Sequence, residues 1–271
     1  MENEALNLLA EALLRAQETG TPCMPLTETR ADLTVSEAYD IQLHNIRQRN
    51  REGLHGRPAR LVGRKIGITS KAVQSWLNVS EPDFGCLLDD MMVTHGETAP
   101  YQLMLQPRVE GEIAFVLKKD LEGPGVTPLD VIAATDYLLP ALEIIDSRIA
   151  DWKIKYEDTI ADNASSGFFV LGNQPRSIRD VDLDLCGLAL LQNGRVKSTG
   201  AGIACLGDPV HAVVWLANTL GKMGTGIKAG EVILSGALGP VIPVSKGDHI
   251  EARISGLGNV SCRFDEEEWS K

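Results

Sequence analysis

Three carboxylates are placed to do chemistry in this chain. Glu110 and Glu112 stand two apart in Val109-Glu-Gly-Glu-Ile-Ala-Phe-Val-Leu117, and Glu143 stands in Pro140-Ala-Leu-Glu-Ile-Ile-Asp146. The first run is rich in strand formers and is bounded by Pro107 and Lys118-Lys119-Asp120, which predicts a β-strand. Residues two apart on a strand share a face, so Glu110 and Glu112 sit side by side. Ala114 and Val116 continue that face, while Ile113 and Phe115 line the other, so the strand is expected to be buried on both sides. A Glu-x-Glu pair alone commonly marks a solvated sheet face; the apolar continuation on both faces argues against that here. Two adjacent buried carboxylates repel each other and carry a large desolvation cost, and a divalent cation relieves both. Glu143 repeats the setting, a lone acid between Leu142 and Ile144-Ile145. The histidines (44, 55, 95, 211 and 249) show no spacing for joint ligation, so a bound metal would take oxygen ligands, favouring Mg²⁺ or Mn²⁺ over Zn²⁺.

The elements that must position these groups are legible as periodicities. Leu6, Leu8, Leu9, Leu13 and Leu14 predict a helix over 4–18, ended by Gly20-Thr21-Pro22. Thr34-Val35-Ser36-Glu37 is a capping box opening a second helix to about Glu52. After a loop at His55-Gly56-Arg57-Pro58 come a strand from Arg60 to Ile68, a short helix from Lys71 to Leu77 and a loop at Ser80-Glu81-Pro82-Asp83-Phe84-Gly85. Thr127-Pro128 opens another helix, and Asp208-Pro209 caps an apolar one from His211 to Leu220, where His211 is read as a structural histidine. From Gly230 onward, strands are expected at 231–235, 241–244, 249–254 and 260–264. Closely spaced strands favour a β-rich core over alternating βαβ units. The expected boundary lies near residue 60, between a helical region (1–60) and a β-rich remainder (61–271).

Composition sets the outer limits. The 271 residues suffice for a substantial core, and 44% hydrophobic with 23% charged residues is ordinary for a globular protein. A formal charge of -11 argues against nucleic acid or an anionic membrane as partner. No apolar run is read as a membrane span, and Met1-Glu2-Asn3-Glu4 lacks the basic start of a signal peptide. Five dispersed cysteines without C-x-x-C spacing read as free buried thiols in a reducing compartment, hence a cytoplasmic protein.

Several blocks resemble a known family. Gly230-Glu-Val-Ile-Leu-Ser-Gly-Ala-Leu-Gly239, Lys246-Gly247-Asp248 and Ile254-Ser-Gly-Leu-Gly258 are similar to the C-terminal signature of the fumarylacetoacetate hydrolase superfamily. Val62-Gly-Arg-Lys-Ile-Gly67, Glu81-Pro-Asp-Phe-Gly85, Pro140-Ala-Leu-Glu-Ile-Ile-Asp-Ser-Arg148 and Ala161-Asp-Asn-Ala-Ser-Ser-Gly167 resemble the 2-oxopent-4-enoate (2-hydroxypenta-2,4-dienoate) hydratases of aromatic meta-cleavage pathways. The blocks run in the family's order over essentially the whole chain.

The resemblance implies an α+β fold with a mixed β-roll core and a helical N-terminal region. It implies Mg²⁺ or Mn²⁺ held jointly by Glu110, Glu112 and Glu143, with the substrate's C1 carboxylate and 2-oxo oxygen chelated there. Lys65, Asp83 and Ser165 would line the pocket, with Asp83 as general acid/base and Ser166 as the alternative to Ser165. Asp162 and Asn163 are read as turn residues, and Asp146 with Arg148 as an ion pair near the site. The resemblance further implies a homo-oligomer, with a pathway decarboxylase or aldolase as candidate partner. Two rival readings are a 2-oxo-3-hexenedioate (4-oxalocrotonate) decarboxylase and a non-catalytic assembly partner of one. A diacid substrate would need an extra cation, and Arg64 and Arg148 are the candidates.

Overall fold

The computed structural model describes residues 2–53 and 56–265; Met1 and His55 lie outside them. Helices are α1 (Glu2–Thr19), α2 (Leu26–Thr29), α3 (Val35–Arg51), α4 (Lys71–Leu77), α5 (Pro128–Ala134), α6 (Tyr156–Ala161) and α7 (Pro209–Lys222). Strands are β1 (Leu61–Gly67), β2 (Asp83–Leu88), β3 (Met92–Thr94), β4 (Thr98–Ala99), β5 (Arg108–Leu117), β6 (Thr135–Ile145), β7 (Ser166–Leu171), β8 (Gly187–Gln192), β9 (Arg195–Ala201), β10 (Val232–Leu234), β11 (Ile242–Pro243), β12 (His249–Ile254) and β13 (Gly258–Phe264).

Local chemistry explains the helix starts. Thr34 and Glu37 close the expected capping box on α3, satisfying backbone N–H groups that the first turn leaves unpaired. The Asp208 carboxylate accepts from the Val210 N–H at 2.7 Å, and Pro209 occupies the first helical position of α7. The stretch Gly202–Lys222 is long and apolar enough by composition to cross a membrane. Its inner side, including Val213, Leu216 and Leu220, is instead buried in the protein core. His211 lies on the exposed side of that helix, so it is not a core histidine.

The strands form two mixed sheets. The larger runs β2-β1-β10-β5-β6-β7-β3, with β11 paired to the start of β5; the smaller runs β4-β13-β12-β8-β9. Most neighbours are antiparallel, but β1–β10, β3–β7 and β4–β13 are parallel. β5 and β6 form the centre of the larger sheet and are buried on both faces, as the double apolar pattern predicts. Ile113 and Phe115 face one cluster that also takes Leu188 and Val260 of the smaller sheet; Ala114, Leu139 and Phe169 face a second. Gly111 allows the sheets to approach, since a Cβ there would lie 2.7 Å from the Leu188 Cδ1 atom. The N-terminal helices share this core: Leu9, Leu13 and Ile41 belong to the cluster that holds Ile113.

One element differs from expectation. The loop assigned to Ser80–Gly85 stops at Pro82, and Asp83 begins β2, antiparallel to β1. Proline belongs at the entry to a strand, where its missing N–H costs no ladder bond, and Gly85 is needed because Asn163 packs on it.

Candidate active site and metal centre

The larger sheet assembles the carboxylates. Glu110 lies directly opposite Glu143 in the β5–β6 ladder, and Glu112 follows on the same face. One oxygen from each of the three lies within 4.8 Å of the others. Glu112 and Glu143 are fully buried, while Glu110 is half-buried and opens on a cavity. A Glu112 oxygen accepts the Gly236 N–H at 2.8 Å, which ties β5 to the segment after β10. The other Glu112 oxygen and Glu143 Oε2 receive no hydrogen bond, and Glu143 Oε1 faces only the Lys65 ammonium at 3.1 Å. Burial, then the charge of Glu143, pushes Glu110 up to about 7, and the same causes raise Glu112 well above the ordinary value. Buried carboxylate oxygens that still lack donors, converging from two adjacent strands, are the ligand set a hard divalent cation requires.

Among the described residues, Lys65 supplies the ammonium at this floor. It leaves β1 with its Nζ 3.1 Å from Glu143 Oε1 and donates to the Ala164 carbonyl at 2.9 Å. Burial alone would lower its pKa, but Glu143, Asp83, Glu110 and Glu112 together outweigh that and hold it raised, hence charged. Asp83 pairs with Gly67 in the β1–β2 ladder, and its carboxylate lies over that glycine, where a Cβ would come within 2.2 Å of Oδ1. Burial raises the Asp83 pKa against the pull of Lys65. Thr159 donates to Asp83 Oδ2 at 3.2 Å, while Oδ1 receives nothing.

A left-handed turn closes the site. Asn163, Ala164 and Ser165 all have φ between 51° and 55°, a conformation that costs L-residues about 1–2 kcal/mol each. The Asn163 side chain holds the turn by accepting from Cys86 N–H at 2.7 Å and donating to its carbonyl at 2.9 Å. Ser165 is thereby turned into the cavity, with its Oγ 3.4 Å from the Thr159 hydroxyl. Ser166 points elsewhere, into a smaller cavity beside Gln42 and Arg148. Asp162 is more than a turn residue: it is the buried carboxylate partner of Arg148. Asp146 does not pair with Arg148 through its carboxylate, which instead takes the N–H groups of Leu105 and Gln106.

The cavity measures about 360 Å³. Lys65, Asp83, Glu110 and Ser165 meet at one end, and Ile68, Val73, Trp76 and Ile154 give it apolar walls. Neither arginine considered from the sequence enters it: Arg64 faces Glu231 at 3.7 Å, and Arg148 is engaged by Asp162. The arginine that does line it is Arg108, whose guanidinium carbon lies over the Trp152 ring, 4.5 Å from its centroid. Thr159 is unmarked in the sequence, since a threonine inside a helix carries no motif. For Arg108 the signal existed: it shares the β5 face of Glu110, two residues away.

A family model for the C-terminal region of fumarylacetoacetate hydrolase matches residues 55–265. The 2-keto-4-pentenoate hydratase of Paraburkholderia xenovorans (strain LB400) is 51% identical over 256 residues, covering 94% of this chain and 93% of that protein. The 2-hydroxyhexa-2,4-dienoate hydratase of Comamonas testosteroni is 46% identical, covering 98% of this chain and 99% of its own. Among solved structures, 4-oxalocrotonate decarboxylase from Pseudomonas putida G7, complexed with magnesium and adipate, superposes with a TM-score of 0.90 at 38% identity, covering 97% of this chain and 98% of that one.

Proposed function

Because this chain belongs to the fumarylacetoacetate hydrolase family, we propose that its cavity is the active site of a divalent-metal-dependent hydratase of meta-cleavage catabolism. The reaction converts 2-hydroxypenta-2,4-dienoate (2-keto-4-pentenoate) and water to 4-hydroxy-2-oxopentanoate. The observation that carries the reading is the Glu110, Glu112 and Glu143 cluster, with buried oxygens still lacking donors, beside Lys65 and Asp83 in a cavity with largely apolar walls.

Glu110, Glu112 and Glu143 are the proposed ligands of Mg²⁺ or Mn²⁺, which supplies electrostatic stabilisation of negative charge on the substrate's 2-oxygen. The dienol first loses its 2-hydroxyl proton and gains one at C5, giving the α,β-unsaturated 2-oxo acid. Water then adds at C4 while C3 takes a proton, so one water is gained overall. Lys65, held charged among four acids, faces the developing negative oxygen. Asp83 is the proposed general acid/base, taking the proton of the attacking water and returning it at C3; its raised pKa suits both directions. Thr159 and Ser165 orient Asp83 and the water by hydrogen bonding. The apolar walls keep bulk water from the carbanion-like carbons.

Four further proposals accompany this reading. The protein works as a homo-oligomer, supported by exposed apolar side chains such as Leu129 and Leu185. Its compartment is reducing, supported by five free thiols, four of them buried. A pathway aldolase or decarboxylase is its candidate partner. The region before residue 60 is a distinct helical segment, supported by the family match that starts at 55.

The test incubates metal-stripped protein with 2-hydroxypenta-2,4-dienoate, with and without Mg²⁺ or Mn²⁺, following the dienol absorbance and the product mass. Metal-dependent gain of one water is expected. Release of CO₂ from 2-oxo-3-hexenedioate without hydration would move the chain to the decarboxylase reading. No turnover of either substrate would favour a non-catalytic partner.

A further inference from the structure

The hydration chemistry leaves one cation of the cavity unused. Arg108 opens β5 two residues before Glu110, so its side chain leaves the same strand face as the proposed ligands, with its Cα about 7 Å further along. Its guanidinium lines the cavity and lies 4.5 Å from the centroid of the Trp152 ring. Trp152 is itself fixed, donating its indole N–H to the Gln106 carbonyl at 3.1 Å.

Arg30, Arg49, Arg64 and Arg148 each face a carboxylate at 3.7 Å or less. Arg108 does not: among the described residues it has the Trp152 ring and no acid within ion-pair distance. Burial pulls its pKa below the ordinary value, as befits a cation partly stripped of water without a counter-charge. A planar guanidinium seated over an aromatic ring is suited to meet a carboxylate along its N–H edge through two parallel hydrogen bonds.

We propose that Arg108, seated on Trp152, is the carboxylate-recognition residue of this cavity and a determinant of substrate specificity. This rests on the reading that the cavity takes 2-oxo acids. Two carboxylates meet the description: the C1 group that every such substrate carries, and a second carboxylate at the far end of a diacid. Both give the same bidentate contact, and they separate by experiment.

The test compares wild-type protein, Arg108→Gln and Arg108→Lys, all loaded with Mg²⁺. Adipate (two carboxylates) and hexanoate (one carboxylate, same length) are titrated by calorimetry and by the fluorescence of the adjacent Trp152. In parallel, kcat and KM are measured for 2-hydroxypenta-2,4-dienoate. We expect R108Q to weaken adipate by about tenfold or more, with R108K recovering only part of the loss, because an ammonium offers no planar fork. Equal weakening of hexanoate, with KM raised and kcat nearly kept, identifies C1 as the contact. Weakening confined to adipate, with monoacid kinetics unchanged, identifies a far-end carboxylate and a cavity that admits diacids. Unchanged adipate and hexanoate affinity in a folded R108Q overturns the proposal. If R108Q fails to fold, Trp152→Leu replaces it: loss of the shelf should weaken the same ligand, and wild-type affinity would overturn the assignment. A wild-type protein that hydrates nothing defeats the functional reading alone, since the binding arm still reports on Arg108.

Discussion

At the residue scale, charge decides behaviour. Asp83, Glu110, Glu112 and Glu143 surround the Lys65 ammonium, and burial raises the pKa of Asp83, Glu110 and Glu112. Glu110→Gln removes a proposed ligand and one repulsive charge together. Metal affinity should fall by more than the about 10–100-fold that outer-shell partners cost, and hydration should vanish. The metal-free variant should nevertheless melt no lower than wild type; wild-type turnover would remove Glu110 from the ligand set. Asp83→Asn should leave metal affinity within a few-fold while lowering kcat by about 10²–10⁴, measured at saturating Mg²⁺. The same charges set a pH dependence. Folded Glu110 sits at about 7 against an ordinary 4.5, so between these values the metal-free folded state holds a proton that the unfolded chain has released. Its stability therefore falls as pH rises through that window. Metal needs the ionised carboxylates, so saturating Mg²⁺ should stabilise more as pH rises. Thermal midpoints from about pH 5 to pH 8, with and without metal, check both signs.

At the scale of elements, the site depends on close approaches that side chains would block. Gly67 lies under the Asp83 carboxylate, and Gly67→Ala would put a methyl 2.2 Å from its Oδ1. The β1–β2 pair should survive with the acid displaced, and a 1 Å misplacement is enough for about a hundredfold loss of kcat. Near-wild-type kcat would show that the carboxylate is free to move. The strand carrying Glu110 and Glu112 was readable because alternation and a double apolar face leave a signature in one short window. The helices were readable through Thr34, Glu37, Asp208 and Pro209, which act on their own neighbours. Asp83 reads as a loop residue in the sequence because Pro82 and Gly85 mimic turn chemistry; the reason for Gly85 is the Asn163 carbonyl, which lies far along the chain. Thr159 is hidden for the same reason, since what defines it is what faces it across the fold, whereas Arg108 carries a local signal, two residues before Glu110 on one strand face.

At the scale of the molecule, the N-terminal helices hold the active-site strands from behind. Gln42, fully buried on α3, donates to the carbonyls of Phe84 and Ile160, the neighbours in sequence of Asp83 and Thr159. Gln42→Ala strands both carbonyls and should cost about 1–3 kcal/mol by denaturant unfolding, with kcat reduced as well. An unchanged midpoint would mean that the helix only covers the sheet. The α+β class, the β-rich remainder and the helical start were visible in the sequence, but this long-range clamp was not, because a glutamine in a helix announces no partner. The pairing of Glu110 with Glu143 has a last consequence. A slip of one residue between β5 and β6 would turn a whole strand's side chains to the opposite face, so the three carboxylates converge in a single alignment of the two longest strands. On the proposed ligand set, the ion is thus a proofreader of assembly as well as a reagent. It rewards the chains that have paired correctly, and refolding in its presence should draw mispaired molecules back toward the native alignment.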